Sequence, residues 1–506
     1  MSKFSYYLIA VILILTGVFS TLINKSQLNA NNTSIEFHFQ NEVRNQANNY
    51  AMVAIKLLKE DSDIQNFVKS NVDNSNIDID VTFERWEDNG STLDYGIIKI
   101  QSEATTKYLG KDYKWIVEVD ARNVPFSNYL VFTNTMGTTN FIGEQYIGGP
   151  VHVNNTLNLI RDKSGNDPTF TQHVTYNNSL FRYYNSYGQI RTGNINDFTG
   201  FQNGSESGVT ISGPDNYFFD TSEPHYNNFI GDNLDLFPEF NDYYNSDQQF
   251  QDNINTLATK YTDYSDLSKN QNYNINSTKY IKINDNSIFV SPVPPGFWNY
   301  DEIKKEIPIS TIEEAGGVFY TDGELHVEGQ LNGKLTLACE KQLYIDGNVT
   351  YKDYDESNDN PFEYCEDILS LMTKEDIVIS TSNKYFDESK SPSWNDPNEN
   401  FNQSDLSIMS ALYTQKGIHI QNWDYVKNIV GSRGKLNIIG SFITNEYGAT
   451  GIYSNGQNYG YSKNFYYDPR FGYYAPYGMP ETIVNENGIN KKQRQILSWN
   501  ESNSGI

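Results

Sequence analysis

A seven-residue pattern occurs twice in this chain, with the two copies 18 residues apart. LHVEGQL at 325–331 and LYIDGNV at 343–349 match in their apolar, acidic and glycine positions, and GKLNIIGSF at 434–442 keeps the apolar and glycine frame. Each copy has only three or four inward-facing residues and cannot form a core alone, so neighbouring copies must stack. The repeat residues are Leu325, Val327, Gly329, Leu331, Leu343, Ile345, Gly347, Val349, Leu436, Ile438, Gly440 and Phe442.

Short strands at this period predict a parallel β-helix. EDIVIST at 375–381 and KGIHIQNW at 416–423 have the character of further short strands. The alternative is an antiparallel sandwich, whose hairpins should carry Asn-Gly or Asp-Gly turns between strands. Asp322-Gly323 and Asp346-Gly347 occur, but the second dipeptide lies inside the repeated frame. The pattern therefore favours the β-helix.

The amino-terminal segment is long and apolar enough to cross a membrane. No charged residue lies between Lys3 and Lys25, and the apolar run at 6–23 is close to the ~20 residues that a spanning helix needs. A cleaved signal peptide is the alternative, although no clear Ala-x-Ala site follows the run. Under either interpretation the rest of the chain is exported.

A small α+β module is predicted after this segment. The polar stretch NKSQLNANN separates it from Thr33, which forms a capping-box pattern with Glu36 and predicts a new helix start. Strand patterns follow at 76–83, 95–104 and 114–121, which suits a three-stranded antiparallel meander packed on the helix. The apolar residues at helical spacing are Ile35, Phe39, Val43, Ala47, Ala51, Ile55 and Leu58.

Charge and cysteine content exclude several classes of partner. The 506 residues contain 37 Lys and Arg against 63 Asp and Glu, which gives a formal net charge of −26 and disfavours nucleic acid. The two cysteines, Cys339 and Cys365, have no metal-type spacing. They are interpreted either as two buried small side chains or, in an oxidising compartment, as a disulfide.

No catalytic, cofactor or metal motif is recognisable. The six histidines are scattered singly, and those within the strand patterns, His326 and His419, are predicted to face solvent. A loop at 352–367 groups carboxylates that could suit calcium or a glycosidase, although a solvated loop is the simpler interpretation. Those carboxylates are Asp353, Asp355, Glu356 and Asp359, and the remaining histidines are His38, His152, His173 and His225, with His152 expected to be hydrogen-bonded at a turn.

Tyrosine and asparagine are concentrated in several segments. The chain has 38 Tyr, and segments such as YYNSYGQ and YYDPRFGYYAPYG combine this residue with Asn and Gly. Such a surface can stack on sugars or pack against another protein. The alternative is that these rings cover an end of the β-helix and shield its edge from other chains.

Several segments, taken in order, resemble bacterial pilin-like proteins of type IV pilus or type II secretion machinery. The resemblance is to a PilX-like, largely uncharacterised group in which a pilin-like start precedes a bactofilin-like β-helix. This sequence lacks a leader glycine before Phe4, and its first acidic residue is Glu36, so an uncleaved anchor fits better than a processed pilin. The segments are RNQANNYAMVAIKLL (44–58), FSNYLVFTN (126–134), GGPVHVN (148–154), GGVFYTDGELHVEGQLNGKLTLACEKQLYIDGNVTY (316–351), DILSLMTKEDIVI (367–379), GKLNIIGSFIT (434–444) and YSKNFYYDPRFGYYAPYGMP (461–480).

Together these features predict a mainly β protein with an N-terminal transmembrane helix, a small pilin-like α+β module and a right-handed parallel β-helix carrying a Tyr/Asn-rich insertion. The expected function is a non-enzymatic, membrane-anchored structural or adhesive component of a pilus-like or secretion-like surface apparatus. Expected partners are the membrane, other pilin-like or secretion-machinery proteins and glycans, without cofactor or nucleic acid. The alternatives are a β-helix lyase or glycosidase and a carbohydrate-binding adhesin. The predicted divisions are an anchor and linker at 1–32, the module at 33–122, the start of the β-rich domain at 123–160, the insertion at 161–280, the β-helix and its C-terminal cover at 281–480, and a tail at 481–506.

Overall fold

One uninterrupted helix, α1 (Lys3–Glu60), begins the fold. The predicted break at 24–32 and the predicted helix start at Thr33 are wrong, because α1 continues through both. Thr33 Oγ1 donates to Asn29 O, one turn earlier in the same helix, at 2.9 Å. The polar stretch contains neither Gly nor Pro, so nothing in it interrupts the backbone hydrogen bonds. The polar residues therefore continue the helix.

The structure is a computed structural model that describes most of the chain. The described ranges are 3–60, 65–72, 76–85, 97–211, 279–291, 304–380, 405–421, 431–492 and 494–502, apart from 109, 315–316, 322, 359, 455–456, 473, 481 and 487–488. The fold is mainly β with one long, apolar N-terminal helix. The chain forms two units, one of residues 1–86, 96–123 and 494–506 and one of 87–95 and 124–493.

The strands of the described residues are numbered β1 to β28 in chain order. The first 14 are β1 (Phe67–Lys69), β2 (Ile77–Arg85), β3 (Ile97–Tyr108), β4 (Lys111–Asn123), β5 (Val131–Thr135), β6 (Phe141–Ile142), β7 (Tyr146–Gly148), β8 (Val151–Ile160), β9 (Thr169–Phe170), β10 (Val174–Tyr184), β11 (Ile190–Thr192), β12 (Ser205–Ser207), β13 (Lys279–Asp285) and β14 (Ser287–Ser291). The others are β15 (Lys305–Pro308), β16 (Val318–Thr321), β17 (Leu325–Leu331), β18 (Lys334–Cys339), β19 (Leu343–Tyr351), β20 (Ile368–Thr373), β21 (Ile377–Ile379), β22 (Leu406–Ile420), β23 (Gly431–Glu446), β24 (Gly451–Ser454), β25 (Gln457–Tyr467), β26 (Ile483–Glu486), β27 (Ile489–Lys492) and β28 (Arg494–Ser502). A short helix, α2 (Ile309–Glu314), and 3-10 turns at Phe126–Asn128, Ile195–Asp197 and Pro469–Gly472 complete the elements.

The first unit packs the second half of α1 on an antiparallel sheet in the order β1-β2-β3-β4-β28. Its core is apolar and includes Val43, Ala47 and Leu58 from the helix and Ile79 and Val119 from the sheet. The predicted meander is thus found in β2, β3 and β4. The predicted tail contributes β28, which pairs with β4 so that Arg494 lies opposite Asn123. The second unit is therefore inserted in the chain between two neighbouring strands of this sheet.

The second unit is built largely on parallel strand pairs, and one of these pairs, β17 with β19, joins the two copies of the repeat. Leu325 lies opposite Leu343 and Val327 opposite Ile345, at the predicted offset. The register then shifts, so that Gly329 lies opposite Val349 and Leu331 opposite Tyr351. The predicted matching of Gly329 with Gly347 and of Leu331 with Val349 is therefore wrong, because an irregularity in β19 adds two residues.

Backbone conformation separates the three glycines of the repeat. Gly329 has a φ of +124° and Gly440 a φ of +143°. A Cβ on Gly329 would lie 2.0 Å from Ile283 O, and one on Gly440 would lie 2.2 Å from Ser410 O. Both glycines therefore allow a close approach to the neighbouring strand. Gly347 lacks this geometry, and a Cβ there would meet only the side chain of Glu328.

The order of the stacked strands differs from their order in the chain. One ladder runs β16-β18-β20-β22-β23-β5-β8-β10-β12, so β23, near the end of the chain, pairs with β5, near the start of the unit. A second runs β19-β22-β23-β25-β7-β9. Strands at 169–207 thus continue the stack instead of forming an insertion, and 212–278 lies outside the described residues. β25 belongs to the second ladder and takes in only Tyr466 and Tyr467 of the Tyr-rich motif predicted as the cover, so the cover stays a prediction for the residues that follow.

Cys339 and Cys365 are both buried and free, so the disulfide alternative is not formed in the structure. Cys339 ends β18 opposite Thr373, whereas Cys365 precedes β20, which begins where Ile368 lies opposite Lys334. The two cysteines therefore lie near opposite ends of the β18–β20 pair. Burial raises the pKa of Cys339 to about 12 and that of Cys365 to about 11.

Candidate ligand-binding face

Two exposed tyrosines lie side by side on the second ladder. Tyr146 is in β7 and Tyr466 in β25, their ring centroids are 5.5 Å apart, and they are 40% and 41% exposed. Gly148 lies opposite Tyr466, and a Cβ on this glycine would come within 2.7 Å of the Tyr146 ring. The glycine therefore leaves room for the Tyr146 ring. We call Tyr146 and Tyr466 the tyrosine pair.

A row of polar side chains crosses the same ladder. Each member alternates along its strand with a buried apolar residue such as Ile438 or Phe465, so the row faces outward. Asn464 Nδ2 donates to Asn437 Oδ1 at 3.0 Å, which links two neighbouring strands. In ladder order, the outer row consists of Ser407, Asn437, Asn464, Tyr146 and Thr169.

The outer row ends at a polar pocket of about 420 Å³. Thr169, which lies opposite Tyr146, is one of its lining residues. Gly200 lies where a Cβ would be 2.0 Å from Pro168 O, so a side chain there would collide with the backbone. The full lining is Glu144, Gly165, Asn166, Asp167, Thr169, Thr199 and Gly200.

An ion pair fixes one wall of the polar pocket. Arg161 Nε and Nη2 donate to the two oxygens of Asp167, each at 2.7 Å. Asp167 Oδ2 also accepts from Thr199 N at 3.0 Å and from Thr199 Oγ1 at 2.9 Å. Burial opposes ionisation of Asp167, but these hydrogen bonds outweigh it and lower the pKa of its carboxyl. The wall is therefore held in place, and its carboxylate is neutralised by Arg161.

The lining of the polar pocket also includes Glu144, whose φ is +70°. Asn166 Nδ2 lies 3.5 Å from Glu144 Oε1 and donates to Asp162 Oδ2 at 3.1 Å. No Lys, Arg or His lines the pocket in the part of the chain that the structure describes. The lining thus offers hydroxyls, an amide and one carboxylate without a bound cation, a set suited to hydroxyl groups and unsuited to anions.

The buried histidine of the repeat lies elsewhere and belongs to a structural network. His326 is 6% exposed, so the prediction that it faces solvent is wrong. Its ring stacks between Tyr280 and Tyr344 at 4.5 and 4.4 Å, and its Nδ1 lies 2.7 Å from Asp346 Oδ2. Ser380 Oγ donates to the other oxygen of Asp346. Because the carboxylate lies between the serine and the imidazole, the order differs from that of a serine-hydrolase triad.

The other described histidines are also structural or exposed. His152 is a buried strand residue of β8, not a turn residue, and its two nitrogens lie 2.7 Å from Thr175 Oγ1 and from Asn154 Oδ1. Burial lowers the pKa of His152 to about 4, so it is neutral at pH 7. His419 is partly exposed, 3.9 Å from Asp376. His38 and His173 lie on the surface, 3.9 Å from Glu42 and 3.7 Å from Glu206, and His225 lies outside the described residues.

The acidic loop at 352–367 uses its carboxylates to hold its own backbone. Asp355 accepts from Ser357 N at 2.9 Å and from Asn358 Nδ2 at 3.2 Å, which is the hydrogen bonding of a turn. Asp367 accepts from the backbone N of Gly333, Lys352 and Asp353 at 2.8 to 3.2 Å. Within the described ranges no group of three or more His, Cys, Asp or Glu is placed to hold a metal ion. Glu356 is exposed, and Asp359 lies outside the described residues.

Sequence reasoning found only part of this face. Tyr466 lies in the Tyr-rich motif at 466–478, but Tyr146 and the polar pocket were missed. The usable signal was the alternation in QYIG at 145–148, where an outward Tyr is followed by the buried Ile147 and by Gly148. Which strand lies beside it could not be read from that alternation.

Comparison with known proteins places this chain in no family. No protein-family model matches it, and neither does any curated protein. Among solved structures it is similar to the competence-associated pilin ComZ from Thermus thermophilus, with a TM-score of 0.29, 10% identity and coverage of 88% of this chain and 87% of that chain. A TM-score of this size does not establish a common fold. The PilX-like and bactofilin-like parts of the resemblance stay predictions.

Proposed function

We propose that this protein is a non-enzymatic, membrane-anchored structural or adhesive component of a pilus-like or secretion-like surface apparatus. The observation that carries the proposal is the division of α1 into two halves. Its second half is buried on the sheet of the first unit, whereas its first half carries exposed apolar side chains, from Leu8 to Leu28. Such a surface needs an apolar environment, which a lipid bilayer supplies.

Polar groups within the first half of α1 are satisfied by the helix itself. Thr16 Oγ1 donates to Ile12 O at 2.6 Å, and Thr21 Oγ1 donates to Gly17 O at 2.7 Å. In lipid, where water cannot satisfy such groups, internal bonding of this kind is required. The helix is long and apolar enough to span a membrane, and a signal sequence would pass the same test of length and composition. Its continuity into a folded unit favours a retained anchor.

The second unit would be the displayed part. Its parallel ladders, the stacking of Leu325 on Leu343 and the close-approach glycines Gly329 and Gly440 support the proposal of a parallel β-helix, and its right-handed sense rests on the sequence expectation alone. The non-enzymatic assignment is supported by the structural use of Asp346, His326 and Asp355 in hydrogen bonds described above. The pilin-like resemblance of the sequence supports the link to a pilus-like or secretion-like apparatus.

Matched charge substitutions in α1 test the anchor. Ile14→Glu places a carboxylate in the exposed apolar half, and Asn29→Glu places the same group in the polar stretch of the same helix. We expect the full chain and Asn29→Glu to stay in the membrane fraction through alkaline carbonate extraction and Ile14→Glu to be released or lost, since a central charge is costly in lipid. Equal retention of both variants, or an intact mass showing removal of residues 6–23, would contradict a retained anchor.

A second measurement tests whether the second unit is displayed on the cell surface and whether the chain belongs to a larger apparatus. In intact cells we expect added protease to remove the second unit, and mild shearing to release the chain together with other proteins that carry an exposed N-terminal apolar helix. Release of this chain alone would contradict membership of an apparatus. The enzymatic alternative predicts polysaccharide cleavage that is lost in Asp355→Asn or Glu356→Gln, and we expect no cleavage in either the unmodified chain or these variants.

A further inference from the structure

We propose that the tyrosine pair, the outer row and the polar pocket together bind an uncharged oligosaccharide. This inference names a ligand for the adhesive part of the proposed function. It rests on that function in one respect, namely that the second unit is exposed outside the cell, where it would contact the oligosaccharide. Its support comes from three separate properties of one face: exposed aromatic rings, a row of amides and hydroxyls, and a pocket without a free cation. The chemical class follows from their combination.

The tyrosine pair supplies flat apolar surface at the exterior. The two neighbouring rings are each about two-fifths exposed, so part of each ring is available to a ligand. A pyranose ring has C–H groups on one face and hydroxyls around its edge, so it can stack on a tyrosine and still form hydrogen bonds at its rim. The Tyr466 phenol is neutral at pH 7 and able to donate, as tyrosines ordinarily are, and burial, together with Tyr146 and Glu356, raises its pKa further.

The outer row supplies partners for hydroxyl groups along a line. Asn437 and Asn464 carry amides that both donate and accept, and Thr169 at the end of the row carries a hydroxyl that does the same, as does Thr199 in the adjoining polar pocket. The row from Asn437 to Thr169 crosses three strand spacings, about 14 Å in total. That length suits an extended ligand of several sugar units, with one unit entering the polar pocket at the Thr169 end.

Charge selects against acidic polysaccharides. Asp167 is already paired with Arg161, which leaves Glu144 as the carboxylate of the lining that no cation neutralises. The field of a chain with net charge −26 adds to this repulsion. A uronate or sulfated sugar would bring a further negative charge, whereas an uncharged sugar would meet only hydrogen-bonding groups.

Oligosaccharide binding by the full chain in detergent micelles tests the inference. The probes are hexasaccharides of β-1,4-linked glucose, α-1,4-linked glucose and β-1,4-linked N-acetylglucosamine, with α-1,4-linked galacturonate as the acidic member. We expect at least one uncharged hexasaccharide to bind and the galacturonate hexasaccharide not to bind. Absence of binding to all three uncharged probes, or preference for the acidic one, would overturn the inference.

Variants assign the binding to this face. Tyr146→Ala and Tyr466→Ala should each weaken binding about fivefold or more, whereas Tyr146→Phe should retain most of it because the ring is kept. The control is Tyr187→Ala, which removes an 85% exposed tyrosine from a turn outside the face. Equal losses in Tyr187→Ala and Tyr146→Ala would overturn the assignment, and unchanged thermal midpoints would show that the variants fold.

Thr169→Val tests the polar pocket by removing a hydroxyl while conserving shape. We expect weaker binding of hexasaccharides and little change for a disaccharide held by the tyrosine pair alone; equal weakening of both would contradict the proposed extent of the site. All these measurements are made in micelles, so their failure would leave the membrane-anchor proposal intact. Failure of the carbonate extraction would likewise leave oligosaccharide binding standing.

Discussion

The two units of this protein place their ion pairs differently. In the first unit the pairs described are at the surface, as for Lys111 with Glu36 and Lys107 with Asp112, and the core is a set of apolar side chains. The second unit also has surface pairs, such as Lys352 with Asp285, but its Arg470 pairs with Asp468 at a largely buried position. The first unit buries Arg122, but its Nη2 donates to the neutral side chain of Gln495 at 3.3 Å, so among the described residues the buried arginine–carboxylate pair is a feature of the second unit.

Both units have an apolar core, and the second adds a buried ion pair to it, so the two should respond differently to the loss of a charged side chain. The stability of the first unit comes from apolar surface buried between helix and sheet. Its ion pairs are exposed to solvent and each contributes little, so the unit should tolerate changes in these charges. A buried ion pair is sensitive to the loss of either partner, because the charge that is left has no water around it. The second unit should therefore be more sensitive to single polar substitutions.

Removal of Arg470 should have the largest effect. Arg470 Nε and Nη2 donate to the two oxygens of Asp468 at 2.9 and 2.7 Å, and Nη1 donates to Cys365 O at 2.6 Å. We expect Arg470→Met to destabilise the second unit by about 3–5 kcal/mol, because it leaves a buried carboxylate unpaired. Hydrogen exchange of β20 amides, resolved by mass spectrometry in the full chain, measures this loss. The double variant Asp468→Asn/Arg470→Met should lose less, and an equal or greater loss would contradict the explanation.

Substitution of the close-approach glycines should come next. Gly329→Ala and Gly440→Ala should each destabilise the second unit by about 3 kcal/mol, since positive φ and a backbone collision both oppose a Cβ. Gly347→Ala is the matched control, because its new Cβ would meet the flexible end of Glu328. Denaturant midpoints followed by circular dichroism compare the three. Equal losses of stability in Gly347→Ala and Gly329→Ala would contradict this explanation, because they would show that the two glycines have the same structural role, as the 18-residue repeat predicts.

Replacement of the buried Lys463 by an apolar residue should stabilise the protein, and the gain in the free energy of unfolding should depend on pH. This side chain of β25 is 6% exposed, its Nζ lies 4.4 Å from the centre of the Tyr447 ring, and burial lowers the pKa of Lys463 to about 7. Between pH 7 and its unfolded pKa near 10.4, the unfolded chain binds a proton that the folded chain lacks, so stability rises with pH. Lys463→Met should remove this slope and raise stability at pH 7 by about 2 kcal/mol.

The measurement for Lys463 is the thermal midpoint of the full chain at pH 7, 8, 9 and 10. The advantage of Lys463→Met should shrink as the pH rises, because the native lysine then loses its proton in both states. An advantage that stays constant over this range would show that packing, and not protonation, is responsible.

The smallest effect is expected from a surface pair in the first unit. Arg44 Nε donates to Glu501 Oε2 at 2.7 Å between α1 and β28, with both side chains partly exposed. We expect Glu501→Gln to leave hydrogen exchange of β4 and β28 nearly unchanged, since solvent screens such pairs. A loss comparable to that of Arg470→Met would erase the contrast between the units.

Particular residues show how far sequence analysis reached. The pairing of Leu325 with Leu343 and of Val327 with Ile345 was predicted, because apolar spacing sets the offset between stacked strands. The shift at Gly329 was missed, since an irregular strand leaves the apolar pattern almost unchanged. The continuity of α1 was also missed, because a capping pattern at Thr33 is only a local preference and the backbone around it favours helix.

The candidate site was less accessible to sequence analysis than the fold. Tyr466 could be singled out from its Tyr-rich motif, but its neighbour Tyr146 lies far away in the chain. The two meet because β25 pairs with β7. Nothing in either strand's own composition selects this partner.

The sequence by itself determined the uncharged apolar segment, the α+β module and the short strands that need stacking, because these follow from hydrophobicity and its period. Only the tertiary structure decided that β5 follows β23, that β28 completes the first sheet, and that two tyrosines and a pocket share one face. The physical reason is that backbone hydrogen bonds between strands are the same for every pair of partners. The choice among partners therefore depends on side-chain packing between distant segments, which no local pattern records.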